Sequence, residues 1–407
     1  MSGAEGPGLE DYADLVQPSE TKVLLLVLDG LGGLPLEPGG PTELEAASTP
    51  NLDDLAWTAE VGLHDPVGPG ITPGSGPGHL ALFGYDPLRY RIGRGVLEAL
   101  GIDFPLEPGD IAVRGNFCTV DGAGNVTDRR AGRIPTAEAE RLVEALETIP
   151  NGETQMSVRA VKEHRFLLVL RPPGPLSPDL ADTDPGRTGV PPLHVTAGST
   201  AAQATAALVS EWLRAAREVL AGEPAANMVL LRGFSVLPDW PCFPDAFGMR
   251  AFAAAAYPMY RGVAKLVGME AIAVDEDPSA LVTALEDAVA AHDFFFLHFK
   301  PPDKAGEDGD FDRKVAVIEE VDRIVPALMG VRPDVVLVTG DHSTPSLLRS
   351  HSWHPVPYLL RSNVSRGRGA EAFGEGPCAQ AGDGVRRGRE LMPLAAAAAG
   401  KFVKFGA

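Results

Sequence analysis

Three short segments of the chain are continuously apolar, and acidic or imidazole side chains follow each of them. These segments cover residues 23–28, 294–297 and 335–338. Uninterrupted apolar runs of this length are typical of strands that are buried on both faces of a parallel sheet. The pattern therefore predicts core strands of an α/β fold.

Helical patterns lie between these runs. Residues 48–56 combine a capping hydroxyl, a proline in the first turn and early acids, which are signals for a helix start. Residues 136–148 and 312–329 place apolar side chains three and four positions apart, as amphipathic helices do. The fold class we predict is α/β, with a mostly parallel central sheet flanked by helices.

The middle of the chain has a different texture, with short strand-like runs and a proline-rich stretch at 171–192. We interpret residues 111–252 as an inserted smaller domain of the α/β or α+β type. The core domain then comprises residues 21–110 and 253–407, and residues 1–20 form a polar N-terminal extension.

Composition excludes several classes of protein. The chain has 407 residues, of which 44% are hydrophobic and 22% charged, as in globular proteins, and its net charge is −20. Phosphate backbones and anionic membranes demand a basic surface, so we expect no nucleic-acid or membrane partner. The apolar runs are too short to cross a bilayer, and the polar N-terminus lacks a signal peptide, so the sequence predicts a cytoplasmic protein.

The ends of the predicted strands carry residues that can bind metal ions. Asp29 follows the first strand, Asp303 lies beyond the second and Asp341-His342 follow the third, with His354 twelve residues later. In parallel α/β sheets the ligand site lies beyond the carboxyl ends of the strands. A capping Asp and a loop His would explain one such pair, but not three. Mixed oxygen and nitrogen ligands suit Mn²⁺, Zn²⁺ or Mg²⁺, and their number suggests two ions about 4 Å apart.

Ser75 stands between glycines in ITPGSGPGHLALFGYDP (71–87). The alternative is a flexible loop, because Gly, Pro and Ser are ordinary loop residues. We predict instead that Ser75 is the N-cap of a helix over 77–83, where free N–H groups favour a phosphate. The hydrolase elbow GxSxG is absent because Pro73 takes its first glycine position. A metal-activated serine nucleophile is therefore favoured over a Ser-His-Asp triad.

Six motifs in collinear order resemble the archaeal-type cofactor-independent phosphoglycerate mutases of the alkaline phosphatase superfamily. They are VLDGLGGLP, TELEAASTPNLDDLA, the Ser75 stretch, DRRAGR, LHFKPPDKAGEDGD and VTGDHSTP…HSWHP. The resemblance implies a serine nucleophile and two divalent ions, Mn²⁺ being expected and Mg²⁺, Co²⁺ or Zn²⁺ being alternatives, without 2,3-bisphosphoglycerate. The implied ligands of the two ions are Asp29, Ser75, Asp341 and His342 for one, and Asp303, Glu307 and His354 for the other.

The chain departs from the family pattern at two places. Many members carry histidine where this chain has Glu307, an anionic ligand that favours Mn²⁺ or Mg²⁺ over zinc. Glu307 could instead be a solvated acid of an acidic loop. The serine loop often reads Gly-Ser-Asp-Thr-Ala-His in relatives and GSGPGH here, which removes polar contacts near the nucleophile.

An anionic substrate needs cations, and they are concentrated in a few places. The resemblance favours Arg130 and Arg133 of DRRAGR as substrate-binding residues, with Arg129, Arg261 and Lys265 as further candidates. The expected function is interconversion of 3-phosphoglycerate and 2-phosphoglycerate, in glycolysis and gluconeogenesis, through a phosphoserine intermediate. Two alternatives remain open: a metal-dependent phosphohydrolase or phosphomutase acting on another small phosphorylated metabolite, and a non-catalytic binding protein. The sequence indicates no oligomeric state.

Overall fold

The structure of the protein is a computed structural model. It describes residues 6–150, 152–366, 369–382 and 384–406. The chain forms two compact units: Met1–Arg91 with Trp240–Ala407, and Ile92–Asp239. Within the described residues, no helix combines the length and hydropathy that a membrane span requires.

Strands and helices alternate along most of the chain. The strands are β1 Val23–Leu28, β2 Glu60–Asp65, β3 Ile111–Val120, β4 Val126–Asp128, β5 Gln155–Lys162, β6 Arg165–Arg171, β7 Met228–Ser235, β8 Ala251–Ala255, β9 Glu270–Ala273, β10 Phe294–Phe299, β11 Val335–Thr339, β12 Val356–Ser362 and β13 Val385–Arg387. The helices are α1 Leu9–Ala13, α2 Glu43–Ala46, α3 Pro50–Thr58, α4 Ser75–Leu82, α5 Arg94–Gly101, α6 Thr136–Glu147, α7 Gln203–Leu220, α8 Phe243–Phe247, α9 Pro258–Leu266, α10 Ser279–Ala288, α11 Pro301–Asp308, α12 Phe311–Asp322, α13 Val325–Gly330, α14 Glu375–Ala381 and α15 Leu391–Ala398. Short 3₁₀ turns cover Ala131–Arg133, Thr200–Ala202 and Gly388–Glu390.

The first unit is built on a mostly parallel sheet with the strand order β13-β2-β12-β11-β1-β10-β8-β9. β1 lies between β10 and β11 and is parallel to both, and β12 is antiparallel to its neighbours β11 and β2. The predicted α/β class and the mostly parallel sheet are therefore confirmed. The three apolar runs singled out in the sequence are adjacent strands.

The central strands are buried on both faces, which explains their unbroken apolar sequence. Every residue of β1 is buried. Leu24, Leu26 and Leu28 join one continuous core with side chains of α3, α10 and α12. Successive side chains of a strand point to opposite faces, so the equally buried Val23, Leu25 and Val27 show that the other face is covered too.

The helix that carries Ser75 begins earlier than the sequence predicts. α4 starts at Ser75 itself, and Gly74 is its N-cap. The prediction of a helix over 77–83 with Ser75 as its N-cap was therefore wrong. The helix starts two residues earlier, and its N-cap is the residue before Ser75. The helix start was misplaced because Pro77 resembles a first helical residue. Proline is accommodated throughout the first turn, where its missing N–H would have no intrahelical partner. The helix predicted over 312–329 is two helices, α12 and α13.

The second unit is built on an antiparallel sheet with the order β4-β3-β6-β5, in which β7 also pairs with β3. Phe166 and Leu168 of β6 pack with α6 and α7, which contribute Leu142 and Trp212 to the same core. The compact unit begins before residue 111 and ends before residue 252, because α5 packs on β3 while α8 packs on α1. The domain boundaries given by the sequence stay a prediction.

The described part of the N-terminal segment packs on the first unit. Tyr12 of α1 stacks on Phe247 and on Phe402, with ring centroids 6.1 and 5.6 Å apart. Val16 pairs with Phe402 in an isolated antiparallel bridge. The segment is thus tied to the end of the chain by aromatic contacts.

Candidate active site

Polar side chains gather at the carboxyl ends of β1, β10 and β11. Asp29 follows β1, Asp303 lies in the first turn of α11 after β10, and Asp341 and His342 follow β11. Because the three strands are adjacent and parallel, their carboxyl ends lie at one edge of the sheet. All four side chains are buried.

Two glycines allow the segments to approach each other this closely. Gly30 has φ +63°, and a Cβ there would lie 2.6 Å from Thr344 Oγ1 and 2.8 Å from Asp303 Cβ. A Cβ on Gly78 would lie 2.3 Å from the carbonyl oxygen of Asp341. The structure therefore leaves no room for a larger residue where α4 and the strand ends converge.

Ser75 lies within hydrogen-bond distance of the strand-end imidazole. Its Oγ is 3.1 Å from His342 Nε2. The same Nε2 is 3.4 Å from Asp29 Oδ1 and 3.2 Å from Asp341 Oδ2. Gly30 N–H donates to the other Asp341 oxygen, 3.1 Å away. One hydroxyl, one imidazole nitrogen and two carboxylates therefore face a common point.

Asp29 stays ionised although it is fully buried. Burial raises its pKa, but the positive charge of Lys300 and the hydrogen bond from His298 hold the pKa well below its ordinary value. Lys300 Nζ is 3.2 Å from Asp29 Oδ2, and His298 Nε2 is 3.0 Å from that oxygen. Tyr260 stacks on the His298 ring with centroids 3.7 Å apart, which fixes the imidazole.

A second group forms around Asp303. Thr344 Oγ1 donates to Asp303 Oδ1 at 2.7 Å, and His351 Nε2 is 3.4 Å from the same oxygen. Lys300 Nζ donates to Asp303 Oδ2. Burial lowers the pKa of His351, but Asp303 more than offsets this and raises it to about 9.

The donor atoms fit divalent cations. Asp29, Asp341 and His342 each offer a ligand atom within 4.8 Å of the others, and so do Asp303, His342 and His351. Asp29 Oδ1 is buried without a hydrogen-bond partner among the described residues, and Asp341 Oδ2 faces His79 Nδ1 at 3.1 Å. Unpaired buried carboxylate oxygens are costly unless a cation faces them. The set of oxygen and imidazole donors suits Mn²⁺, Mg²⁺ or Zn²⁺.

His351, which the sequence did not single out, lies next to Asp303, where His354 was expected. His354 Nδ1 contacts Ser352 Oγ at 3.1 Å, and its ring stacks on Trp353. In the described structure His354 belongs to neither group of potential ligands. Both histidines lie in the loop before β12, and nothing in HSWHP distinguishes them by pattern alone.

Glu307 lies at the rim of the second group. Its carboxylate is 4.0 Å from His351 Nε2, and its side chain is 58% exposed. One turn of α11 separates Glu307 from Asp303, so both side chains lie on the same side of the helix. The geometry is compatible with a ligand that moves inward by a rotamer change, and equally with a solvated acid.

The predicted substrate-binding cations have different surroundings. Arg129 makes a bidentate pair with the buried Asp184, with both distances 2.8 Å, so its guanidinium is engaged within the second unit. Arg130 and Arg133 are exposed on a tight turn that the Asp128 carboxylate caps. Arg133 has φ +53°, a conformation that the turn imposes.

Arg130 and Arg133 belong to a wider basic region of the second unit. Burial lowers the pKa of His164 to about 3, together with the charges of Arg165, Arg114, Arg130 and Arg133. The imidazole of His164 is therefore neutral at physiological pH. Of these four arginines, Arg130 and Arg133 are the exposed ones.

The two remaining candidates lie on α9 of the first unit. Arg261 donates to the carbonyl oxygens of Ala255 and Ala256, 3.3 and 3.2 Å away, at the end of β8. Lys265 lies in the last turn of the same helix.

Comparison with known proteins gives a consistent result. The family model for 2,3-bisphosphoglycerate-independent phosphoglycerate mutase matches residues 56–226. A protein from Thermus thermophilus, described as a probable 2,3-bisphosphoglycerate-independent phosphoglycerate mutase, is 50% identical over 399 residues, which are 97% of this chain and 98% of the relative. The chain belongs to this family. The predicted family and enzyme class are thereby confirmed.

Other phosphoglycerate mutases of this family and solved structures agree. The Aquifex aeolicus protein of the same description is 45% identical over 98% of this chain and 100% of its own. The cofactor-independent phosphoglycerate mutase of Thermoplasma acidophilum has a TM-score of 0.70 at 30% identity, covering 93% of this chain and 100% of that one. The PH0037 protein of Pyrococcus horikoshii has a TM-score of 0.82 at 30% identity, covering 95% and 99%.

Proposed function

We propose that this mutase interconverts 3-phosphoglycerate and 2-phosphoglycerate by passing the phosphoryl group through Ser75. The observation that carries the proposal is the position of Ser75 Oγ, 3.1 Å from His342 Nε2, which itself faces the buried carboxylates of Asp29 and Asp341. A hydroxyl in that position is a nucleophile that a cation can activate. The first turn of α4 places helical N–H groups beside it, and these favour a phosphoryl group.

Two divalent cations are part of the proposal. Asp29, Ser75, Asp341 and His342 would hold one of them, and Asp303, His351 and Glu307 would hold the other. Such ions lower the pKa of a hydroxyl and neutralise the charge on the oxygens of a transferring phosphoryl group. Carboxylate-rich sites favour Mn²⁺ or Mg²⁺, and Mn²⁺ is our choice because imidazole is also present.

The hydrogen bonds around His342 fix which ring nitrogen is available. Thr344 Oγ1 donates its proton to Asp303, so it accepts from His342 Nδ1, 3.0 Å away. His342 Nε2 then carries a lone pair that faces Ser75 Oγ. Burial lowers the pKa of His342, which keeps the ring neutral.

The phosphoryl group moves in two steps. In the first step the Ser75 hydroxyl loses its proton and its oxygen forms a bond to phosphorus, while the bond between phosphorus and a glycerate oxygen breaks and that glycerate oxygen takes up a proton. In the return step the other glycerate hydroxyl loses its proton and its oxygen attacks phosphorus, while the bond between phosphorus and Ser75 Oγ breaks and Ser75 takes up a proton. Lys300, which pairs with both Asp29 and Asp303, reduces the negative charge that the incoming phosphate meets. Arg130 and Arg133 would bind the substrate carboxylate.

The experiment is substitution of the nucleophile. In Ser75→Ala, conversion of 3-phosphoglycerate to 2-phosphoglycerate should fall by more than about a thousand-fold, because no other oxygen takes its place. Incubation of the unmodified protein with phosphoglycerate followed by acid quench and mass spectrometry should show phosphate on the peptide that contains Ser75. Unchanged thermal stability of the variant is the control for folding. Substantial turnover by Ser75→Ala, or phosphate on another residue, would reject the mechanism.

A further inference from the structure

A lysine that the catalytic proposal does not use is completely buried beneath the site. Lys314 lies on α12 and has 0% exposure. Burying an ammonium group is costly unless several acceptors surround it. The groups that accept hydrogen bonds from the Lys314 ammonium should therefore indicate its role.

The Lys314 ammonium joins two turns that come from opposite ends of the chain. Nζ donates to the carbonyl oxygen of Gly32 at 3.0 Å and to that of Thr344 at 2.9 Å. Gly32 follows Asp29 by three residues, and Thr344 follows His342 by two. The two turns also meet directly, because Thr344 N–H donates to the Gly32 oxygen at 3.0 Å.

A buried carboxylate completes the arrangement. Glu43 Oε1 is 4.0 Å from Lys314 Nζ and accepts hydrogen bonds from Ser346 N–H and Oγ at 2.7 and 2.6 Å. Glu43 Oε2 accepts from Leu34 N–H at 3.1 Å. The Lys314–Glu43 pair thus contacts both turns a second time.

Thr344 connects this pair to the site. Its carbonyl oxygen receives Lys314, and its hydroxyl contacts Asp303 and His342. A shift of the Thr344 backbone would therefore move the contacts that orient one carboxylate and one imidazole. Groups that orient metal ligands from behind influence metal affinity even though they never touch the ion.

We propose that Lys314 is a positioning residue, which together with Glu43 fixes the turn after Asp29 against the turn after His342 and so sets the spacing of the metal ligands. The inference rests on the ligand roles proposed above. It concerns a residue that contacts neither substrate nor the reacting atoms.

The test compares two buried lysines of the same unit. Lys401 is also 0% exposed, and its Nζ donates to the Ser19 carbonyl oxygen at 2.6 Å, away from the strand-end turns. Lys314→Met and Lys401→Met remove the same charge and keep similar volume. The double variant Lys314→Met/Glu43→Gln also removes the negative charge that Lys314 accompanies in the unmodified protein. Each protein is prepared free of metal and titrated with Mn²⁺ by calorimetry, and kcat and KM are measured with 3-phosphoglycerate.

In Lys314→Met and in the double variant, Mn²⁺ affinity should fall about 10- to 100-fold. kcat should fall with it, while KM changes by less than about twofold. Lys401→Met should lower thermal stability and leave Mn²⁺ affinity unchanged. Equal Mn²⁺ affinity in the Lys314 and Lys401 variants would overturn the inference, and so would a double variant that fails to unfold cooperatively, since Lys314 would then support the whole fold. Failure of the unmodified protein to bind Mn²⁺ would instead reject the proposed function.

Discussion

At the scale of single residues, two nearby histidines differ in their contacts with the second group of potential ligands. His351 Nε2 lies 3.4 Å from Asp303 Oδ1, whereas the sequence predicts His354 as the ligand. The choice has a direct consequence for metal binding, because two otherwise similar histidines lie three residues apart. They can therefore be tested against each other.

We expect His351→Ala to weaken the binding of one Mn²⁺ by at least about tenfold, because an imidazole next to Asp303 is lost. His354→Ala is the matched control and should bind Mn²⁺ like the unmodified protein, because His354 contacts Ser352 instead. Calorimetric titration of the metal-free proteins measures both. The opposite order of effects would restore His354 as the ligand.

Glu307 supplies a second residue-scale prediction. If its carboxylate binds the ion that Asp303 binds, Glu307→Gln should weaken one Mn²⁺ by about tenfold and leave the other unchanged. Glu307→His should shift the preference of that position toward Zn²⁺, since imidazole is the softer ligand. Metal content per chain after dialysis against equal Mn²⁺ and Zn²⁺ measures the preference. Unchanged occupancy in both variants would make Glu307 a solvated acid.

At the scale of elements, β2 is linked to the end of β11 through a buried histidine. His64 Nε2 lies 2.9 Å from Thr339 Oγ1 and 3.2 Å from the Gly340 carbonyl oxygen, directly before Asp341. Burial lowers the pKa of His64 from 6.5 to about 4, although Asp341 acts in the opposite direction. Arg386, opposite His64 on β13, and the nearby Tyr358 ring are its other polar neighbours.

This histidine should make the first unit sensitive to acid. The folded protein keeps His64 neutral, whereas the unfolded chain takes up a proton at this histidine below pH 6.5. The contribution of neutral His64 to the free energy of unfolding is therefore complete above that pH. It should be lost at about 1.4 kcal/mol per pH unit between pH 6.5 and about 4. Urea unfolding of the metal-free protein at several pH values should show a flatter dependence for His64→Gln. His194→Gln, which changes an exposed histidine, is the control. If the free energy of unfolding depended on pH equally steeply in His64→Gln and in the unmodified protein, the prediction would be contradicted.

The elements also show which features of the fold could be predicted from the sequence. The strands β1, β10 and β11 could be predicted because burial on both faces leaves an unbroken apolar run, and their adjacency brings Asp29 and Asp341 together. The start of α4 was misplaced because Pro77 looks like a boundary. Lys314 gives no sequence signal, since a lysine on an amphipathic helix is ordinarily solvated and only the fold shows that it is buried.

At the scale of the whole molecule, the question is what distinguishes a mutase from a phosphatase. Both would form a phosphoserine, so the difference lies in retaining glycerate until the phosphoryl group returns. We propose that Arg130 and Arg133 retain glycerate, because guanidinium groups bind a carboxylate whereas the acidic side chains near Ser75 would repel it. A charge-assisted hydrogen bond contributes about 1.5–3 kcal/mol.

Arg130→Ala or Arg133→Ala should therefore lower isomerisation and raise the ratio of phosphate release to isomerisation. Free phosphate and 3-phosphoglycerate are measured together with 2-phosphoglycerate as the substrate. Arg129→Ala is the comparison, because Arg129 is paired with Asp184 and should mainly affect stability. Equal loss of both products would mean that these arginines bind the phosphoryl group, and no loss would remove them from the site.

The division of the first unit into two stretches of chain has a consequence for its synthesis. Asp29 and His298, which form one hydrogen bond in the folded protein, are 269 residues apart, and all of Ile92–Asp239 is made between them. A nascent chain therefore exposes VLLLVL of β1 to solvent long before either neighbouring strand has been translated. The second unit pairs its strands within itself and can fold during that interval. Ribosome-bound chains of this protein should accordingly depend on chaperones that shield short apolar strands, and the need should end once β11 has emerged.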